Sequence, residues 1–144
     1  MGRVVVHLHG SSRTAAFKSA ITDYANRLNS SSVTLVEHSD KTSAEDYLKQ
    51  ISRHAGEEQI TLLMEAGEET DSIAFGELYA AWRLSRSDTH LVVGPSDGFG
   101  EASGDYPRLS LSKMTMQHEL AAVVLLEQLY RAAAMHEGKP YHRG

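Results

Sequence analysis

Four short apolar segments recur along the chain, and their spacing constrains the fold more than any other feature of the sequence. They span residues 4–8, 33–37, 60–64 and 91–93, and β-branched or aliphatic side chains dominate each of them. Runs of this length and composition are typical of strands that are buried on both faces. Because helical patterns fill the intervals, the sequence predicts an α/β fold in which helices flank a parallel sheet on both faces.

The intervals predict three helices, and a fourth helix is expected near the end of the chain. The first is expected over residues 14–28 and the second over residues 44–55, where apolar residues recur at helical spacing. The third is expected to begin at Asp71 or Ser72. The side chains of this third helix that we expect to face inward are Leu78, Ala81 and Trp82.

Length and cysteine content narrow the class of protein. A chain of 144 residues has the size of one domain, and we expect residues 1–144 to form it. The absence of cysteine excludes a disulfide framework, a thiolate zinc site and a cysteine nucleophile. The longest apolar run, residues 120–126, is far shorter than the roughly 18 to 20 residues of a membrane span, and no secretory leader is recognisable. We therefore expect a soluble, cytoplasmic protein that has no membrane partner.

Charge is distributed unevenly along the sequence. Residues 1–107 carry nine Lys and Arg against sixteen Asp and Glu, whereas residues 108–144 carry five against three and also three histidines. Nucleic-acid binding gains much of its affinity from neutralising phosphates, so a net charge of −5 argues against a broad nucleic-acid-coating surface. A local contact through the positively charged C-terminal quarter remains compatible with this balance.

The fourth helix is expected over residues 116–136, and it is apolar over most of its circumference. Between Leu120 and Ala134 the polar side chains are Glu127, Gln128 and Arg131, which fall within one arc about 100° wide at 100° per residue. A helix that covers one sheet needs only a stripe, so this breadth predicts a homodimer in which two copies of the helix pack together. The alternative is a helix enclosed within one subunit. Glu127 and Arg131 also have the spacing of a helix-stabilising ion pair.

The last residues lie beyond the end of this helix. Gly138 favours the left-handed cap conformation and Pro140 cannot continue the hydrogen-bond ladder. Tyr141, His142 and Arg143 therefore form a tail. The tail has two interpretations, a frayed terminus or an aromatic ring, an imidazole and a guanidinium that grip a nucleotide.

Four C-terminal motifs carry a family resemblance. Residues 110–115 (SLSKMT), His118, residues 127–132 (EQLYRA) and residues 140–143 (PYHR) resemble the C-terminal signature of the RlmH family of SPOUT methyltransferases. The resemblance implies S-adenosylmethionine-dependent methylation at N3 of a pseudouridine in large-subunit ribosomal RNA. It also implies a parallel α/β fold with a C-terminal trefoil knot, and a homodimer formed through the C-terminal helices.

The resemblance implies where the cofactor binds. Three loops enclose S-adenosylmethionine in this family, and they correspond to residues 63–67, 94–98 and 109–115. The protein has mainly to align donor and acceptor, because the sulfonium already activates the methyl group. The expected cofactor-binding residues are Leu63, Gly67, Gly94, Gly98, Leu109, Ser110, Leu111, Ser112, Lys113, Met114 and Thr115.

The expected catalytic residues lie at the two ends of the fourth helix. N3 of a pseudouridine carries a proton that must leave, so the reaction needs a base or groups that stabilise the anion. His118 begins the helix, where the dipole favours a neutral, proton-accepting imidazole; helix capping or stacking on adenine is its alternative role. The resemblance places Tyr141, His142 and Arg143 over the cofactor of the partner subunit, in contact with the base.

Three departures from the family pattern keep other functions open. The second loop reads Gly94-Pro95 where a second glycine is usual, so one backbone N–H is lost. Ala122 replaces a common arginine, and Glu68 follows Gly67 where lysine is common. These changes leave three hypotheses, namely the pseudouridine methyltransferase, a SPOUT enzyme acting on another RNA, and a non-catalytic RNA-binding or ribosome-assembly protein. Whether free rRNA or the assembled ribosome is the partner also stays open.

Other motifs are weaker. His7 and His9 lie two apart on a predicted strand and point to the same face, but no third metal ligand is apparent, so we expect no metal site. Residues 94–100 lack the lysine of a phosphate-binding loop and do not match the dinucleotide fingerprint, which disfavours nucleoside triphosphates and NAD.

Overall fold

Five parallel strands form one sheet in the computed structural model, which describes all 144 residues. The strands are β1 (Val4–His9), β2 (Val33–His38), β3 (Ile60–Glu69), β4 (Thr89–Val93) and β5 (Arg108–Ser110), in the spatial order β2-β1-β4-β3-β5. Each neighbouring pair is parallel. Strands β1 to β4 lie at the four apolar segments and confirm that these segments form strands. Strand β5, with three residues, has no counterpart among the predictions.

Four α-helices cover this sheet. They are α1 (Ala15–Arg27), α2 (Ala44–Ser52), α3 (Ser72–Leu84) and α4 (His118–His136). Helices α1, α3 and α4 share one face, where α4 lies against both α1 and α3 and packs on apolar residues of β1 and β4. Helix α2 packs with Phe99 on the other face, against β3 and β4. The predicted α/β architecture with both faces covered is therefore confirmed.

The orientation of α3 differs from the prediction. Phe75 and Tyr79 are the buried side chains of this helix, whereas Leu78 and Ala81 are exposed. Trp82 is partly buried and packs edge-on against Phe75, with the two ring centroids 5.7 Å apart. The inward placement of Leu78 and Ala81 was wrong because apolar residues occur all around α3, so periodicity alone did not define its inner face.

The ends of the helices follow local capping. Helix α2 stops at Ser52 rather than at residue 55, and it begins where the Ser43 hydroxyl accepts the backbone N–H of Asp46 at 3.1 Å. Helix α4 begins two residues later than predicted, where the Gln117 side chain accepts the backbone N–H of Leu120 at 2.9 Å. Such caps fix the first residue of each helix.

Strand β3 extends beyond the predicted segment and bends where it meets β5. Leu63 and Glu68 are both paired with Leu109, so residues 64–67 are looped out between them. A Cβ atom on Gly67 would lie 2.7 Å from the Leu109 nitrogen. The absence of a side chain at Gly67 therefore permits β3 and β5 to approach closely. None of the helices has the length and apolar character needed to cross a membrane.

Candidate cofactor pocket

An open pocket of about 370 Å³ lies at the carboxyl ends of the strands. Three loops and the first turns of α4 surround it, and this edge of a parallel sheet is where ligands commonly bind. The first loop is the looped-out part of β3, and the other two follow β4 and β5. The lining residues are Leu63, Met64, Glu65, Val93, Gly94, Pro95, Ser96, Asp97, Gly98, Phe99, Leu111, Ser112, Met114, Thr115, Met116, His118 and Ala121.

The pocket contains some of the residues expected to bind the cofactor and not others. Those that line it are Leu63, Gly94, Gly98, Leu111, Ser112, Met114 and Thr115. Those outside its lining are Gly67, Leu109, Ser110 and Lys113. Gly67 lies against the β5 backbone, and Leu109 and Ser110 are buried within β5. Lys113 points outward, with its amine 3.8 Å from a Glu69 carboxylate oxygen. Their assignment to the cofactor stays a prediction.

The pocket also includes residues that the sequence did not single out. Phe99 is buried, and its ring lies 3.0 Å from where a Cβ atom on Gly94 would be. The ring therefore packs directly on the glycine of the second loop. In the sequence, the signal for this role of Phe99 was an aromatic residue directly after the glycine-containing loop. Met116 and Ala121 join the lining because the chain turns into α4 beside the pocket.

Pro95 lies in a defined turn of the second loop. The N–H of Gly98 donates to the Pro95 carbonyl at 2.8 Å, and Gly98 has φ +80, a conformation that favours glycine. Tyr47 on α2 supports this loop from the opposite face, because its hydroxyl donates to the Val93 carbonyl at 2.8 Å. Burial raises the pKa of Tyr47 well above its ordinary value. The loop is therefore held by its own turn and by a buried phenol.

His118 is the expected catalytic residue that lines this pocket. The neighbouring Glu119 is buried and accepts hydrogen bonds from the Ser12 hydroxyl and from the N–H groups of Arg13 and Thr14, the latter two at 3.1 and 3.2 Å. These hydrogen bonds, that of Ser12 first, lower the pKa of Glu119. The first turn of α4 is thereby tied to the loop between β1 and α1, which fixes the position of His118 beside the pocket.

The C-terminal tail folds back on the helix that precedes it. The Tyr141 hydroxyl donates to Glu127 Oε2 at 2.9 Å, and Arg131 contacts both Glu127 Oε2 at 2.6 Å and His142 Nδ1 at 3.1 Å. Burial, followed by hydrogen bonding to Tyr24 and Glu127, raises the pKa of Tyr141. Arg143 is exposed.

The tail and the pocket of one chain are separated along α4. Glu127 and Arg131 lie nine and thirteen residues after His118, which is roughly 13 to 20 Å along the helix axis at about 1.5 Å per residue. His118 therefore lies at the pocket, whereas Tyr141 and His142 are held near the other end of the same helix.

A chain of three histidines lies under α2, on the opposite face of the sheet. His7 Nδ1 is 2.8 Å from His38 Nε2, and His7 Nε2 is 2.9 Å from His90 Nδ1. Burial, and then the neighbouring His90 and His38, lower the pKa of His7 to about 3. His9 points to the same face, where it packs edge-on against Tyr47 at 5.0 Å. No group of three or more His, Asp or Glu side chains has the arrangement of a metal site.

Comparison with known proteins gives consistent matches. The family model described as "Predicted SPOUT methyltransferase" matches residues 3–142. A ribosomal RNA large subunit methyltransferase H from Anaeromyxobacter sp. (strain Fw109-5) is 37% identical over 145 residues, which cover 93% of this chain and 95% of that protein. The protein of the same name from Synechococcus sp. (strain RCC307) is 37% identical over 111 residues, covering 76% and 74% of the two chains.

Proposed function

The chain belongs to the SPOUT methyltransferase family, and we propose from this premise that it methylates N3 of a pseudouridine in large-subunit ribosomal RNA, with S-adenosylmethionine as the donor. Relatives that align with most of its length are named as methyltransferases of this RNA. The RlmH resemblance of the C-terminal motifs supports the same substrate. This substrate also favours a cytoplasmic location.

The charge of the pocket carries the cofactor part of the proposal. Its lining includes the carboxylates of Glu65 and Asp97 but no lysine or arginine. Such a lining suits a cationic nucleoside better than a nucleotide that carries phosphates. Its volume of about 370 Å³ lies within the range of roughly 300 to 1,000 Å³ that is usual for small-ligand sites. The apolar wall, which includes Leu63, Val93 and Phe99, suits the faces of an adenine ring.

The residues of the chain have two tasks in this reaction. The cofactor, when bound, supplies an electrophilic methyl group, so the pocket has to hold it in line with the acceptor nitrogen. Residues of the three loops would hold it, with Ser112 and Thr115 available to hydrogen-bond its polar groups. His118 lies at the same pocket and in this proposal would accept the proton that leaves N3. The tail residues would contact the target base.

The proposed enzyme is a homodimer with shared sites. Within one chain α4 already packs on both α1 and α3, so part of its apolar breadth is used inside the subunit. Leu120 at its N-terminal end remains 37% exposed and Met114 beside the pocket 78% exposed. If two α4 helices pack antiparallel, the tail of one subunit reaches the pocket of the other. A site made from both parts needs two subunits, because the tail and the pocket of one chain lie at different ends of α4. A C-terminal trefoil knot, as the family resemblance implies, is part of the same proposal.

Isotope transfer tests the reaction. A donor with a deuterium-labelled methyl group is incubated with the protein and with ribosomes or rRNA, and digested RNA is examined by mass spectrometry. We expect the label on a pseudouridine. Label on any other nucleoside would contradict the proposed substrate, and no label together with no binding of S-adenosylmethionine in calorimetric titration would favour a non-catalytic protein.

Truncation after Lys139 tests the tail. We expect methyl transfer to be lost while calorimetric binding of S-adenosylmethionine persists, because the truncated protein keeps every pocket-lining residue. Methylation at the wild-type rate would show that the tail has no catalytic role.

A further inference from the structure

Helix α2 lies behind the second loop of the cofactor pocket and contributes no residue to the lining of the pocket. Phe99 connects the two, because its ring lines the pocket and packs on Gly94. Phe99 also belongs to one apolar cluster with the buried side chains of α2, which are Tyr47, Leu48 and Ile51. A change in α2 therefore reaches a bound ligand through the wall that the second loop forms.

Tyr47 makes a polar contact between this cluster and the pocket wall. Its side chain is fully buried, and its hydroxyl donates to the Val93 carbonyl at 2.8 Å. The rings of His9 and His38 pack edge-on against the Tyr47 ring, each with its centroid 5.0 Å away. Burial raises the pKa of Tyr47, so the phenol is protonated at neutral pH and acts as a donor. The hydroxyl is therefore held in one place, where it fixes the direction of the Val93 carbonyl.

The Val93 carbonyl and the Gly94 N–H belong to the same peptide unit. That unit is planar and trans, so its C=O and N–H groups point in opposite directions. Val93 and Gly94 both line the pocket, and the Gly94 N–H has no hydrogen-bond acceptor within the chain. This N–H is therefore available to a ligand, and the hydrogen bond from Tyr47 determines where it points.

We propose that Tyr47 is a positioning residue for S-adenosylmethionine, because it aims the unpaired Gly94 N–H at an acceptor atom of the cofactor. This inference rests on the proposed function. A donor that is already oriented loses less conformational freedom when the ligand binds, and such preorganisation increases affinity. Tyr47 itself does not line the pocket. Its contribution is therefore to the binding of the methyl donor, and the methyl-transfer step does not depend on it.

Calorimetric titration of Tyr47→Phe with S-adenosylmethionine tests this role. Phenylalanine keeps the ring in the apolar cluster and removes only the hydroxyl. We expect the Kd to rise about three- to tenfold, which corresponds to the net strength of one hydrogen bond. At saturating donor, kcat for rRNA methylation should stay within about twofold of wild type, because the lost interaction affects binding alone. A Kd equal to that of the wild type would overturn the inference.

Tyr79→Phe provides the matched control. Tyr79 on α3 is also buried, and its hydroxyl also donates to a backbone carbonyl, that of Ser31, at 3.1 Å. It lies on the other face of the sheet and does not line the pocket. We expect this variant to unfold at a lower urea concentration than the wild type, as Tyr47→Phe does, but to bind S-adenosylmethionine with the wild-type Kd. If both variants weaken binding equally, general destabilisation explains the effect and Tyr47 has no positioning role.

Nuclear magnetic resonance of the nitrogen-15-labelled, full-length protein tests the contact without any cofactor. We expect the amide resonance of Gly94 to shift or broaden in Tyr47→Phe, because the peptide between residues 93 and 94 is released. In Tyr79→Phe the same resonance should stay at its wild-type position. A Gly94 resonance that is identical in all three proteins would contradict the proposed link.

The outcomes keep the two proposals apart. A wild-type protein that does not bind S-adenosylmethionine refutes the proposed cofactor, while the Gly94 resonance still tests the link from Tyr47 to the pocket wall. A wild type that binds the cofactor no more tightly than Tyr47→Phe refutes only the inference.

Discussion

At the scale of single residues, histidines illustrate how tertiary contacts decide chemistry. The sequence indicates that His7 and His9 share a face of β1, and the structure places them on the same face. It does not indicate that His38 and His90, from neighbouring strands, occupy both nitrogens of His7. Such contacts depend on strand order, and no local pattern encodes strand order.

We predict that the three-histidine chain makes the folded state sensitive to mild acid. The pKa of His7 is lowered to about 3 in the folded state, compared with about 6.5 in an unfolded chain. Between these values the unfolded chain binds a proton that the folded protein excludes, so stability falls as pH decreases below about 6.5. The loss attributable to His7 at pH 5 is about 2 kcal/mol.

Urea unfolding at pH 7, 6 and 5 measures this effect. This range lies above the ordinary pKa of carboxylates, so the lowered pKa values of Glu119 and Glu137 contribute little to the slope. The His7→Gln variant retains hydrogen-bonding capacity but does not titrate, and it should show a smaller loss of unfolding free energy between pH 7 and 5. Equal losses in the two proteins would show that His7 is not the sensor.

At the scale of elements, the sequence predicts the strands that have a characteristic composition. It does not predict a strand that forms only through contacts between residues distant in the sequence. Strands β1 to β4 are recognisable because β-branched or aliphatic residues dominate them. Strand β5 has three residues and exists because Leu109 pairs with the bent end of β3. The pocket depends on this pairing, since β5 leads directly into the loop that carries Leu111 and Thr115.

The contact between β3 and β5 predicts that Gly67→Ala weakens cofactor binding. The new Cβ atom would lie 2.7 Å from the Leu109 nitrogen and 2.9 Å from the Arg108 carbonyl carbon, so the backbone of β5 has to shift. Overpacking of this kind destabilises by about 1 to 3 kcal/mol. We expect calorimetry to give a larger Kd for S-adenosylmethionine. We also expect the protein to unfold with a midpoint at a lower urea concentration.

Gly56→Ala provides the matched control. Its Cβ atom would meet only the side chain of the exposed Glu58, which can move away. This variant should bind S-adenosylmethionine as the wild type does. If Gly67→Ala binds equally well, the close approach of the two strands does not determine the pocket geometry.

At the scale of the whole molecule, α4 joins the two parts of the proposed site. Its first residue, His118, lies at the pocket, and its last turns hold the tail through Glu127 and Arg131. The C-terminal motifs indicated both ends of this helix as functional. The sequence also indicated their separation, because it placed His118 at the start of the helix and the tail beyond its end. It did not indicate that Tyr141 and His142 fold back onto Glu127 and Arg131.

This separation predicts that two inactive variants restore each other. One variant is truncated after Lys139 and keeps an intact pocket. The other, Thr115→Trp, fills the pocket from an exposed position of its lining and keeps an intact tail. If each site combines the pocket of one subunit with the tail of the other, a mixed dimer contains one complete site.

Equimolar co-refolding or co-expression of the two variants measures this complementation. Random pairing makes half of the dimers mixed, each with one of two sites complete, so we expect about a quarter of the wild-type methylation rate. Each variant alone should be inactive, and the Thr115→Trp protein should fail to bind S-adenosylmethionine in calorimetry. If the mixture stays inactive although mass spectrometry detects mixed dimers, the tail does not act across the interface, and the site has to be completed within one chain.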